Sequence, residues 1–254
     1  MIVILSPAKT LDFEKKSNFS KYSMPTFLEE STYLITELRK KNEQELSDLM
    51  SISSKLSALN LKRYHTWNPD FNLSNSKQSI LCFKGGVYVG LDIDSFSEED
   101  VLYSQDYLKI ISGLHGVLNP LDLIQPYRLE MGTKLYNKKG TSLYNFWDEK
   151  ITDYLNESLE KSNSSFLLNL ASNEYFSSVI PKKIRANVID VKFLDNKNGV
   201  YKVISFFAKK ARGAMAGFVM KNKIQHLNDL KNFSELGYTF DASNSATNSL
   251  VFIR

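Results

Sequence analysis

Asn187-Val-Ile-Asp-Val-Lys-Phe-Leu194, then Lys-Asn-Gly199, then Val200-Tyr-Lys-Val-Ile-Ser-Phe206 is the stretch on which the fold turns. Two β-rich runs flank a turn tripeptide that ends in glycine, which predicts two strands joined as a hairpin. Working outward, Ser165 to Leu170, Gly237 to Asp241 and Leu250 to Ile253 add strands in the last third of the chain, the final two joined by a polar Ser/Asn loop. Met1 to Leu5, a short apolar run ended by Ser-Pro, predicts one more, buried strand. Helical spacing governs the rest. Pro25 opens a stretch with Phe27, Leu28, Tyr33, Leu34 and Leu38 at helical intervals, and Glu43–Met50 and Ser53 to about His65 follow. The capping box Ser97-Glu-Glu-Asp100 opens a helix expected to carry Val101, Leu102, Leu108 and Ile111 on one face. Thr141–Lys161 predicts a long amphipathic helix and Lys209–Ile224 another, while Lys77–Gly90 fits either helix or strand around Gly85-Gly86. Helices early and strands late, with no linker rich in Pro or Gly, predict an α+β fold: one domain over residues 1–254 with a mixed sheet and surrounding helices.

The 254 residues are 43% hydrophobic and 24% charged, a composition that excludes disorder and a disulfide-stapled miniprotein. The single cysteine, Cys82, has no partner for an intramolecular disulfide and reads as a small core residue. With no apolar run long enough to span a bilayer and a first strand that does not resemble a signal peptide, a cytoplasmic location and no membrane partner are expected. His65, His115 and His226 are far apart, so neither a structural metal nor any other cofactor is expected. The formal charge of +4 is unevenly distributed. Pro181–Lys231 holds 12 Lys+Arg against 3 Asp+Glu, a local +9, and the remainder holds 20 against 25, a net −5. Such clustering suits a polyphosphate partner; taken alone it also fits a solvated face paired with acids elsewhere.

Three segments could carry chemistry. Ile110-Ile-Ser-Gly-Leu-His-Gly-Val-Leu118 has the layout of a helix-hairpin-helix element spanning about 98–124, whose glycines would free backbone amides for a phosphate oxygen; a plain αα-hairpin with a Gly cap fits equally. Phe206-Phe-Ala-Lys-Lys-Ala-Arg-Gly213 is a predicted strand-to-helix junction where Lys209, Lys210 and Arg212 would meet a positive helix end, with Lys182, Lys183 and Arg185 as a second cluster. Ser6-Pro-Ala-Lys9-Thr10 and Asn169-Leu-Ala-Ser172-Asn173-Glu174-Tyr175 each follow a predicted strand, and polar residues past neighbouring strand ends share a crevice. Ser172 also suits a helix N-cap. Lys9, Glu174 and Tyr175 are candidates for acid or base roles.

Ser6-Pro-Ala-Lys-Thr-Leu11, Gln125-Pro-Tyr-Arg-Leu-Glu-Met-Gly132, Asn169-Leu-Ala-Ser172 with Glu174-Tyr-Phe176, and Phe207-Ala-Lys-Lys-Ala-Arg-Gly213 together resemble the motifs of the bacterial peroxide stress protein YaaA family, in order and across the whole chain. The resemblance implies a cytoplasmic protein that limits free intracellular iron during hydrogen peroxide stress and protects DNA from oxidation. It also implies a mixed α/β fold with a helix-hairpin-helix element and a basic cleft for duplex or branched DNA, bound without sequence preference. Carried onto this sequence, the hairpin comprises Gly113, Leu114, His115 and Gly116, with His115 where the family pattern has Tyr, and the cleft cations include Lys209, Lys210 and Arg212.

Two readings follow. One is a DNA-binding protein of the oxidative stress response. The other is an enzyme acting on a nucleobase, nucleoside or nucleotide, with Ser6, Lys9, Thr10, Arg128, Asn169, Ser172 and Glu174 lining its pocket. Convergence of Lys9, Asn169, Glu174, Lys209 and Arg212 around one pocket would favour the second.

Overall fold

The computed structural model describes residues 1–15 and 19–254. In chain order the elements are β1 (Ile2–Leu5), β2 (Thr10–Leu11), α1 (Leu28–Arg39), α2 (Glu43–Met50), α3 (Ser54–Thr66), β3 (Lys77–Gln78), α4 (Ser79–Cys82), β4 (Phe83–Lys84), α5 (Gly86–Leu91), α6 (Glu98–Tyr107), β5 (Leu108–Ser112), β6 (Gly116–Leu118), β7 (Leu123–Ile124), α7 (Leu143–Trp147), α8 (Lys150–Lys161), β8 (Phe166–Asn169), α9 (Asn173–Phe176), β9 (Asn187–Lys197), β10 (Val200–Lys202), α10 (Ser205–Lys221), α11 (Leu227–Leu230), β11 (Thr239–Phe240) and β12 (Ser249–Ile253). The mixed sheet and its covering helices make the chain α+β, as its sequence predicts.

The main sheet has the order β11-β12-β9-β8-β1-β5-β6, with β10 folded back onto β9. The strands from β12 to β5 run parallel, and β11, β6 and β10 pair antiparallel at the margins. β1 and β5 are buried along their whole length; β1 reads accordingly as an unbroken apolar run, whereas Lys109 and Ser112 interrupt β5. β9 buries Ile189, Val191, Phe193 and Asp195 and exposes Asp190 and Lys192, which is the alternation visible in its sequence. Asn198 and Gly199 take positive φ, +57° and +81°, and close the predicted hairpin.

Segment 98–124 is corrected. The capping box at Ser97 forms, but the helix ends at Tyr107, and Leu108 and Ile111 belong to β5 rather than to a helix face. Residues 113–115 are a turn, and β6 returns antiparallel with Ser112 opposite Gly116, so this is a β-hairpin and not a helix-hairpin-helix. The β-branched Ile110, Ile111 and Val117 favour extended backbone, and β1 offers an apolar strand for β5 to join. Gly116 makes the turn at φ +67°, where a Cβ would lie 2.7 Å from the Trp147 ring.

Other boundaries moved as well. The expected helix over 141–161 is broken between α7 and α8 by Asp148, at φ +48°. Phe206, read as the end of a strand, belongs to α10, and the Lys77–Gly90 stretch alternates short strands and helices.

α10 packs on α5 through glycines. A Cβ on Gly213 would sit 1.7 Å from the Val87 carbonyl oxygen, and one on Gly90 1.9 Å from that of Lys210. Only hydrogen at these positions lets the two backbones approach so closely.

Candidate functional site

β1 leads out to β5 and β6 on one side, and the chain later returns to place β8, β9 and β12 on the other. The strand order therefore reverses between β1 and β8, and the carboxyl ends of such a pair are where open parallel sheets bind ligands. Ile4 lies opposite Asn169, so Ser6 and Ser172 emerge side by side. The Ser172 amide donates to Ser6 Oγ at 2.9 Å, and Ser6 Oγ donates to Ser172 Oγ at 3.3 Å. Ser172 occupies the N-cap position of α9, but its side chain caps no amide. The Tyr88 hydroxyl, buried in α5, donates to the Ser6 carbonyl at 3.1 Å and ties that helix to the same corner.

Four charged groups gather beside these serines. Glu130 Oε1 accepts from Lys9 Nζ at 3.1 Å and from Arg128 at 2.8 and 3.1 Å. Glu174 Oε1 accepts from the Gly132 amide at 3.0 Å, where a Cβ on Gly132 would come within 3.2 Å of that oxygen. Asn169 is committed to shaping the corner. Its Oδ1 accepts from the Ala171 amide and its Nδ2 donates to Asp190. Tyr175 is buried with the Met131 amide bonded to it, and burial raises its phenol above the ordinary value, so it stays neutral at pH 7. Thr10 pairs with Lys84 in the small β2–β4 sheet.

Glu130 and Gly132, which the sequence reading did not single out, complete this group. Both stand inside the quoted Gln125–Gly132 segment, and the Arg128-x-Glu130 spacing was the signal available.

The basic residues divide into two sets. Lys209, Lys210 and Arg212 lie four to seven residues past Ser205, the first residue of α10, so they do not meet the free amides at the helix end; Phe206 and Phe207 hold the first turn. None of the three cations forms an ion pair among the described residues. Arg212 is partly buried, and burial pushes its guanidinium below the ordinary value. A Cβ on Gly86 would lie 3.2 Å from Lys209 Cβ, and one on Gly85 3.5 Å from Ala8 Cβ, so α5 brings the Lys209 backbone close to the loop that carries Lys9.

Lys182, Lys183 and Arg185 lie elsewhere. They precede the start of β9, where Asn187 lies opposite Phe166 at the amino end of β8, whereas Lys209 lies by Gly86, close to the loop past the carboxyl end of β1. Lys183 pairs with Glu149 at 2.5 Å, which raises its amine, and Arg185 lines a cleft with Ser164 and Ser165 at the start of β8. The two clusters thus occupy opposite ends of the sheet and do not form one cleft.

Gly113, Leu114, His115 and Gly116 are enclosed. The Gly113 carbonyl accepts from Trp147 Nε1 at 2.9 Å, the Leu114 carbonyl from Ser31 Oγ at 3.1 Å, and a Cβ on Gly113 would lie 2.3 Å from the Leu129 carbonyl oxygen. Their amides therefore face protein rather than an outside phosphate. His115 contacts Ser31 through Nδ1, has no partner at Nε2 among the described residues, and is held neutral by burial, its pKa lowered to about 3.

Two open clefts flank the loop that follows β2. One, of about 510 Å³, lies between Thr10–Glu14 and α3; the other, of about 460 Å³, lies between Asp12, Lys84 and α5. Asp12 Oδ1 accepts the Glu14 and Lys15 amides and Oδ2 accepts Lys84 Nζ, and the Lys15 amide and Lys84 hold its carboxyl down to about 2. Among the described residues no group of three or more His, Cys, Asp or Glu could hold a metal ion, and no helix is long and apolar enough to cross a membrane.

The chain is an α+β protein whose parallel strands end in a polar crevice at the switch point, with cations on the adjoining helix that form no ion pair among the described residues. The family model described as Peroxide stress protein YaaA matches residues 1–244, and the chain belongs to that family.

Proposed function

We propose that this peroxide stress protein is cytoplasmic and binds duplex or branched DNA through phosphate contacts, without reading sequence, and so shields DNA during oxidative stress. The observation that carries the reading is the set Lys209, Lys210 and Arg212 on α10, cations that form no ion pair among the described residues. A partly buried guanidinium without a carboxylate partner is electrostatically unfavourable, and a phosphate relieves the cost. Lowering of free intracellular iron is part of the same proposal, as the cellular outcome the family resemblance implies. The far cluster at Lys182, Lys183 and Arg185 would meet DNA only if the duplex wrapped around the sheet.

Fluorescence anisotropy with a short labelled duplex tests the reading. Three neutralised phosphates give a slope of log affinity against log salt of about −2.7, a loss of roughly 40-fold between about 50 and 200 mM. Lys209→Ala with Lys210→Ala is expected to reduce the slope to about −0.9. An unchanged slope and affinity would remove α10 as the contact surface. Spin-resonance measurement of free iron in peroxide-treated cells lacking the protein is expected to show a rise, and equal iron with and without it would reject the iron arm.

A further inference from the structure

The cleft of about 510 Å³ between α3 and the Thr10–Glu14 loop lies apart from the α10 cations and joins two of the quoted motifs, through Thr10 and Pro126. Leu59, Lys62, Arg63 and Thr66 line one wall, and their i, i+3, i+4, i+7 spacing turns a single face of α3 into the cleft. Leu11, Phe13 and Pro126 give the opposite side an apolar surface.

Arg63 is the informative residue. It is partly buried, donates to Asn60 Oδ1 at 3.2 Å, and pairs with no carboxylate among the described residues. Burial and then the charge of nearby Arg128 push its guanidinium below the ordinary value. Arg128 is itself paired with Glu130, and neither acid lining the cleft, Asp12 or Glu14, forms an ion pair with Arg63. Lys62 also forms no ion pair among the described residues, and Lys84 is held by Asp12 at 3.3 Å. The lining carries three cations and two acids, and the adjoining Lys9–Glu130–Arg128 group adds two cations and one acid, an excess of two positive charges.

We propose that this cleft binds a phosphate monoester joined to a flat apolar body, the chemistry of a nucleoside monophosphate. The near-dianionic phosphate at pH 7 matches the charge excess. Arg63 takes two of its oxygens in fork geometry, Lys62 and Lys84 act as point charges, and the ring lies against Phe13, Leu59 and Pro126. The cleft falls within the range of small-ligand sites. The same chemistry is available from a free nucleotide or from the 5′-phosphate at a DNA end.

Calorimetric titration of the full chain with adenosine monophosphate, adenosine and inorganic phosphate tests the proposal. The monophosphate is expected to bind roughly tenfold or more tightly than adenosine, and Arg63→Gln and the exposed Lys62→Glu are each expected to weaken it by about tenfold or more. Melting curves establish that each variant is folded, and Lys62→Glu, on the surface, keeps the test valid if Arg63→Gln is not. Displacement of bound monophosphate by a 5′-phosphorylated oligonucleotide, but not by its unphosphorylated form, assigns the site to DNA ends; no displacement by either assigns it to free nucleotide. Equal heats for adenosine and its monophosphate, or monophosphate binding unchanged by Lys62→Glu in the folded protein, would overturn the proposal.

Discussion

Replacing Gly213 by alanine should destabilise the protein although alanine is the better helix former. The new Cβ would lie 1.7 Å from the Val87 carbonyl oxygen and 2.7 Å from the Leu91 amide nitrogen, while real Cβ contacts essentially never fall below 3.0 Å. α5 must then retreat from α10 by about 1.3 Å, and the atoms it meets are backbone, which cannot rotate aside as a side chain can. Forcing volume into a packed contact costs typically about 1–3 kcal/mol and occasionally more, and rigid backbone puts this site at the upper end. Alanine returns about 1 kcal/mol of helix propensity, so the net loss is about 2 kcal/mol. For a chain of this length that lowers Tm by about 4–8 °C. Urea unfolding followed by circular dichroism reads it directly, and Gly217→Ala is the matched control, because its Cβ stops 3.0 Å from the Leu91 oxygen. If Gly213→Ala were as stable as Gly217→Ala, the backbone contact between α5 and α10 would be wrong, and with it the placement of Lys209 beside the Lys9 loop.

Other consequences can be measured with equal directness. His115 titrates near 3 when folded and near 6.5 when unfolded, so its contribution is fully present above pH 6.5 and is lost as pH falls towards 3. His115→Leu should flatten the fall of stability over that window by up to about 1.4 kcal/mol per pH unit, and identical pH profiles would refute it. Ser97→Ala removes the acceptor for the Asp100 amide and should cost about 1 kcal/mol in the same urea assay. Cys82 is fully buried and burial raises its thiol, so Ellman's reagent should leave it unmodified in the native protein and react with it in denaturant.

The strands whose residues alternate or are uniformly apolar were legible, because one-sided and two-sided burial leave different patterns: β9 shows the first, β1 the second. Segment 108–118 was not, since Leu108, Ile110 and Ile111 suit a helix face as well as a strand, and only the presence of β1 alongside decides between them. The break at Asp148 carries no Pro or Gly to announce it. At the candidate site, the neighbouring of Ser6 and Ser172 could be expected from chain order, because both follow strand ends. Glu130 stayed hidden because its partner Lys9 is 121 positions away. The basic window contains a division that composition does not show: Arg185 precedes β9 and Lys209 follows the β9–β10 hairpin, so residues 24 apart in sequence stand on different elements.

The central position of β1 has a consequence for how the chain is made. Val3 pairs with Leu108 and Ile2 with Leu167, partners 105 and 165 residues downstream. β1 therefore leaves the ribosome ahead of both its neighbours; β5 becomes available first, and the strand lacks its second neighbour until β8 has been synthesised. Nascent chains arrested before β8 should leave this strand open to protease and to chaperone capture, with protection arriving only once β8 has emerged.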